Sequence, residues 1–153
     1  MKKHLPLILL VIFALAGLID STLIHLKEIV AKTDPNAFAS CSTDGILNCA
    51  SVAASKYSHL LGIPVSLIGI WFYEASLILG IVLIMGLPLK RIHYILLTLG
   101  IAGSLTFSLY LLFMSYFGVG SLCRYCLISN ATTLGISITW LVYVLPILKK
   151  KES

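Results

Sequence analysis

Residues 127–148 read LISNATTLGISITWLVYVLPIL, an apolar run without one charged side chain. The hydrocarbon core of a bilayer is roughly 30 Å thick, and about 20 helical residues cross it. In lipid no water pairs with the backbone, so a spanning segment must satisfy its own N–H and C=O groups, and a helix does this. Three more runs have the same character. Leu5 to Ile24 is interrupted only by Asp20, and Leu61 to Leu89 only by Glu74. Ile92 to Leu122 holds His93 as its only titratable group besides tyrosine. Gly86-Leu-Pro-Leu-Lys-Arg91 is the natural turn between the second and third runs, and Gly118-Val-Gly-Ser121 between the third and fourth.

Composition agrees. Of 153 residues, 59% are hydrophobic and 11% charged, where a soluble domain carries about 25% charged. A net charge of +5 would suit nucleic acid, but the charges lie at the ends of the apolar runs. The expectation is an all-α membrane protein with one domain over residues 1–153, a bundle of four transmembrane helices. The spans are placed at 5–27, 63–86, 92–117 and 122–147, with an outer loop at 28–62.

The N-terminus has a rival reading. Lys2-Lys3, an apolar stretch and Ala14-Leu-Ala16 resemble a cleavable signal peptide. The run continues past Ala16 to Ile24, which favours a retained helix. With four spans, Lys2, Lys3, Lys90, Arg91, Lys149, Lys150 and Lys151 share one side, and Lys27, Lys32, Lys56 and Arg124 the other. The positive-inside rule then puts both termini in the cytoplasm and the 28–62 loop outside. The membrane expected is the plasma membrane. Lys150-Lys151-Glu-Ser153 also resembles an endoplasmic reticulum retrieval signal, but lysines after a last span are expected from orientation alone.

Within the loop, Thr33-Asp-Pro-Asn36 is turn chemistry. Asn48-Cys-Ala-Ser51 suits the cap of a short interfacial helix from Ala50 to Leu61, ended by Gly62-Ile-Pro64.

The four cysteines form two unequal pairs, Cys41 with Cys49 in the loop and Cys123-Arg-Tyr-Cys126 where the fourth span opens. On the expected topology both face the oxidising side, where disulfides persist. Cys-x-x-Cys is a redox spacing when its first thiol sits at a helix N-terminus, where the dipole favours thiolate, and Arg124 adds positive charge. Three other readings compete: structural disulfides, a four-cysteine zinc site and palmitoylation. The wide first pair argues against zinc. Palmitoylated cysteines usually face the cytoplasm.

The order is Cys41, Cys49, Ser55, then GIPVSLIG over residues 62–69 opening a span, then Cys123-x-x-Cys126 opening the last. With Gly17-Leu18 through His25-Leu-Lys27 in the first span, nearly the whole chain resembles the vitamin K epoxide reductase family, including its prokaryotic disulfide-forming members. The resemblance implies a four-helix bundle around a quinone of the ubiquinone, menaquinone or vitamin K type. It implies that Cys123 and Cys126 are the active-site pair, with Cys126 toward the quinone, and that Cys41 and Cys49 are a shuttle pair. Ser55 matches a serine near the active-site disulfide. No fused thioredoxin-like domain follows the fourth span, so a separate thioredoxin-like protein is the implied partner.

The match has departures. In animal members an asparagine and a tyrosine hydrogen-bond the vitamin K head group; aligned on Gly69 and Cys126, those places hold Val65 and Asn130. Val65 has no donor and Asn130 is shorter than tyrosine, so ordinary quinone reduction is favoured over epoxide reduction. Phe72 matches a pocket aromatic. Outside the motif, Asp20 and Glu74 are costly intramembrane carboxylates and candidate proton carriers; the alternative for Glu74 is a protonated, hydrogen-bonded group. His25 and His59 lie near the outer surface, and Trp71 and Trp140 read as packing or interfacial anchors.

The expected function is a quinone-dependent thiol–disulfide oxidoreductase supporting disulfide formation outside the cytoplasm. Vitamin K epoxide or quinone reduction with the same cysteines is the enzyme alternative. A small accessory protein braced by disulfides is the non-enzymatic one.

Overall fold

A computed structural model of the chain describes residues 4–34, 36–39, 46–87 and 89–150, the last two without their side chains. Among the described residues there are five α-helices: α1 Leu5–Val30, α2 Cys49–Ala53, α3 Val65–Ile84, α4 Arg91–Met114 and α5 Arg124–Lys150. Four of them are long and apolar enough to cross a membrane: Leu5–Val30, Val65–Ile84, Arg91–Val119 with the turn that extends α4, and Arg124–Leu148.

Helix α1 is central, packed against both α3 and α5, and α4 lies mainly on α5. Between apolar helices in lipid, close packing and interhelical hydrogen bonds replace the hydrophobic effect as the glue. The α1–α3 seam shows how. A Cβ on Gly17 would lie 2.2 Å from Tyr73 Cε1, and one on Gly69 would lie 2.8 Å from Ser21 Oγ. These contacts hold the two antiparallel helices in one register from the loop end to mid-bundle. The core beneath contains Leu7, Leu10, Ala14, Tyr73, Leu83, Ile101, Ile136, Trp140 and Val144. Trp140 is fully buried and donates its indole N–H to Thr98 Oγ1 at 2.9 Å, which ties α5 to α4. Trp71, by contrast, is exposed on the outside of α3.

The loop helix is shorter than its sequence suggests. It ends at Ala53, followed by a 3₁₀ turn at Lys56–Ser58 and a hairpin of β1 His59–Leu60 and β2 Ile63–Pro64. The cause is Ser55. Its backbone N–H and its hydroxyl both bond to the Val52 carbonyl, at 3.2 and 2.7 Å, and so occupy the acceptor that a continuing helix would use. The hairpin turns on Leu61 and Gly62, both with positive φ (53° and 84°), as a two-residue turn requires.

Helix α4 is extended by a π-helical turn at Ser115–Val119, closed by left-handed Gly120. The other long helices run Leu5–Val30, Val65–Ile84 and Arg124–Lys150.

Candidate redox site

A short backbone tie places the loop cysteine on the last helix. Leu122 N–H donates to the Ile46 carbonyl at 2.8 Å, and Asn48 N–H donates to the Leu122 carbonyl at 3.0 Å. Leu47 and Leu122 thus pair as a parallel bridge. One residue on, the Asn48 side chain accepts from Ser51 N–H and starts α2. Cys49 is then the first residue of α2, and Cys123 is the residue before α5. Phe38 covers them, in a segment held by a bond from Lys27 Nζ to the Ala37 carbonyl at 3.1 Å.

Both sulfurs are buried, each residue 1% exposed. Cys123 Sγ lies 3.0 Å from Cys49 Sγ. Cys49 is held in a disulfide, whereas Cys123 and Cys126 are free thiols. Cys41 lies outside the described residues. A free thiol therefore rests against a disulfide sulfur, the arrangement from which thiol–disulfide exchange starts.

The environment of Cys123 favours its thiolate. Its pKa is lowered from the ordinary thiol value, first by a hydrogen bond from the Cys126 thiol. Burial opposes this, the backbone N–H groups of Cys126 and Tyr125 add to it, and the Asp20 carboxylate opposes it. The N–H groups are the unpaired donors of the first turn of α5, so the helix end itself holds the sulfur. The Cys123 carbonyl accepts from Leu127 N–H at 3.1 Å, which fixes the residue as the cap of that turn.

Behind the thiols lies a cavity with about 1090 Å³ of empty space including its open mouth. Of the residues singled out from sequence, Cys49, Cys123, Cys126, Ser55, Val65, Phe72, Asn130 and Asp20 all line it. The exposed wall is mainly apolar in area, with hydroxyls, the Asn130 amide and the carboxyl groups of Asp20 and Glu28 set into it; small-molecule sites combine apolar walls with placed polar groups. Asn130 donates from Nδ2 to the Cys126 carbonyl at 2.8 Å and accepts from Ser108 Oγ at 2.9 Å. The carbonyl fixes the amide's orientation, which leaves one N–H for a ligand. The Ser55 hydroxyl proton is committed to Val52, so its oxygen is left as an acceptor. Phe72 sits edge-on to Tyr73, centroids 5.2 Å apart.

Glu74 sits elsewhere. It is exposed on α3 and is not part of the cavity lining. His25 and His59 both line a second, outer groove.

Tyr73, Ser129, Thr133, Ser66 and Glu28 also line the cavity and were not singled out from sequence. Tyr73 Oη lies 2.8–3.0 Å from Ser129 O, Ser129 Oγ, Thr132 Oγ1 and Thr133 Oγ1. This locks α3 to the first turns of α5. Ser66 donates to Glu28 and lies 3.0 Å from His25 Nδ1. The hydroxyl cluster Ser129-Asn-Ala-Thr-Thr133 in an apolar helix, and the i, i+3 pairing of His25 with Glu28, were the available signals.

Four membrane-length helices around a cavity with reduced thiols at its mouth are the build of a membrane redox enzyme. The family model described as the Vitamin K epoxide reductase family matches residues 8–144, and the chain belongs to that family. It is accordingly a membrane oxidoreductase of that type. No curated protein sequence matches the chain.

Proposed function

We propose that the protein carries electrons from a reduced thioredoxin-like protein, through Cys41 and Cys49 and then Cys123 and Cys126, to a membrane quinone, and so supports disulfide formation on the loop side of the membrane. The observation that carries this is the 3.0 Å approach of the free Cys123 sulfur to the disulfide sulfur of Cys49, at the mouth of a cavity that Cys126 lines.

The steps are thiolate exchanges. A thiolate of the partner attacks Cys41 in a Cys41–Cys49 disulfide. The partner's second thiolate attacks the resulting mixed disulfide, and Cys41 and Cys49 are left reduced. Cys49 then attacks Cys123 of a Cys123–Cys126 disulfide and releases Cys126. Cys41 attacks Cys49 in turn and releases Cys123. The described arrangement, with Cys49 oxidised and Cys123 and Cys126 reduced, is the state just after this transfer.

A bound quinone would accept two electrons and two protons. The cavity suits such a ring: its exposed wall is mainly apolar, Phe72 lies in it, and Asn130 keeps one amide N–H without a partner among the described residues. Disulfide couples of about −120 to −270 mV make the flow to a respiratory quinone downhill. Val65 offers no hydrogen-bond donor, which favours a quinone over its epoxide as acceptor. The proposed setting is the plasma membrane, with both termini in the cytoplasm and the loop outside.

The test mixes purified protein with a reduced thioredoxin-like protein and a short-chain ubiquinone, and follows quinone absorbance. Turnover lost on Cys126→Ala supports the relay. No turnover, or turnover that survives the substitution, refutes it. Quinone epoxide in place of quinone tests the acceptor.

A further inference from the structure

Thiolate exchange leaves protons behind. On the proposed route the donor protein's two thiols lose their protons to the outer water as they attack. Cys126 and then Cys123 are released inside the protein as thiolates. Their joining into a disulfide yields two electrons and no proton, whereas a quinone becoming a quinol takes up two of each. The cavity therefore needs its own supply of two protons per turnover.

One place in its wall is built to pass them. Ser66, on the first turn of α3, donates to Glu28 Oε2 and lies 3.0 Å from His25 Nδ1. His25 Nδ1 and Glu28 Oε2 are 3.6 Å apart. Ser66 and Glu28 line the main cavity. Glu28 also lines the outer groove, together with His25, Lys32 and His59. The cluster is thus a partition with titratable groups on both faces and a hydroxyl between them.

Further in, a second observation points the same way. Asp20 lies two turns below Glu28 on α1, about 12 Å along the helix. It is only 6% exposed, it lines the cavity, and it makes no hydrogen bond among the described residues. A carboxyl held inside a membrane protein without a partner is costly.

We infer that His25, Glu28 and Ser66 form the proton entrance to the cavity from the outer groove, and that Asp20 passes protons onward within it. This rests on the quinone-reducing reading above. The titratable and charged groups facing the relay are Lys32 and His59 across the groove. Across the cavity they are Cys123, Cys126, Tyr57, Tyr73 and Tyr125.

The test uses the full chain in phosphatidylcholine vesicles, with pH set separately inside and outside. Reduced thioredoxin added outside engages only molecules whose loop faces out, and a short-chain ubiquinone is the acceptor. Quinone reduction should follow external pH and ignore internal pH. General-acid groups contribute about 10²-fold or more. Glu28→Gln and Asp20→Asn should therefore slow quinone reduction by about 10²-fold, with thioredoxin oxidation in a single turnover changed by less than about 2-fold. Glu28→Asp should restore most of the rate. Dependence on internal pH, or full-speed quinone reduction by Glu28→Gln and Asp20→Asn together, overturns the relay. The wild-type pH result stands alone if a variant does not fold. A wild-type protein that exchanges thiols but reduces no quinone overturns the parent reading, and the relay with it.

Discussion

Removal of the Cys126 thiol should make Cys123 a poorer nucleophile. The largest cause of its lowered pKa is the hydrogen bond from Cys126. A hydrogen bond to a charged group contributes about 1.5–3 kcal/mol, and one pKa unit is about 1.4 kcal/mol. Cys126→Ala should therefore raise the Cys123 pKa, because the largest cause of its lowering is gone. The sign follows from the thiolate fraction. Below both values it falls about tenfold per unit of rise, while the intrinsic nucleophilicity of the remaining thiolate increases with a Brønsted slope of about 0.4–0.5. The net effect near neutral pH is alkylation slower by about 3- to 15-fold. The two curves should converge above the higher pKa. The assay is alkylation of Cys123 by iodoacetamide from pH 5 to 10, read by mass spectrometry. A Cys41→Ala, Cys49→Ala background keeps exchange from consuming Cys123. Burial slows both proteins alike, so the ratio carries the result. The void left by Cys126→Ala eases access and works against the expected slowing. An unchanged profile, or a faster one at pH 6–7, would refute the account of Cys123 as a thiolate held by its partner and the α5 N-terminus.

Three further outcomes follow from the geometry. With Cys41→Ala and Cys126→Ala together, Cys49 and Cys123 are the two cysteines left; diamide, which accepts the two electrons, should join them, non-reducing peptide mapping should find a Cys49–Cys123 disulfide, and its absence would contradict the 3.0 Å approach. Gly17→Ala puts a methyl group 2.2 Å from the Tyr73 ring. Overpacking of this kind costs about 1–3 kcal/mol, seen as a lower midpoint in thermal unfolding, and Gly100→Ala, with open space around it, should show no such loss. Asn130→Leu removes the amide that bonds Ser108 and the Cys126 carbonyl; the KM for quinone should rise by about tenfold, as expected for one lost hydrogen bond of about 1.5 kcal/mol, with thiol exchange retained.

The helices were legible because length and apolar content alone decide a membrane span, and the four runs carried both. The cavity wall was legible as far as motif residues went: Cys49, Cys123, Cys126, Ser55, Phe72 and Asn130 all line it. Two features were not. The early end of α2 depends on Ser55 capping Val52 with its side chain, a choice that competes locally with a helix and leaves no periodic mark. The Ser66–Glu28–His25 cluster joins two helices whose register is set by Gly17 and Gly69, far along the same seam. No local pattern announces a contact made that way. Asp20 and Glu74 looked alike in sequence, each a lone carboxylate in an apolar run. The turn of the helix separates them, since Asp20 faces the cavity and Glu74 the outside of α3.

The inequality of the cysteine pairs follows from the tie between residues 46–48 and Leu122. That tie holds Cys49 on Cys123 and closes it off, 1% exposed. A protein partner cannot reach a sulfur so covered. On the proposed route its thiolate must enter at Cys41, and Cys49 must serve only inward. A pair with one member per role needs a wide spacing, because on that route one sulfur has to meet a protein while the other meets the head of α5. The tight pair has the opposite demand. Cys123 and Cys126 share a single turn, so that one thiol donates its hydrogen bond to the other and the second lies toward the cavity. Substitutions that loosen the seating of Cys49, such as Asn48→Ala, which removes the side-chain cap of α2, should therefore slow transfer between the pairs more than reduction of the outer pair. Time-resolved trapping of each pair's redox state would check this, and equal slowing of both steps would refute the division of roles.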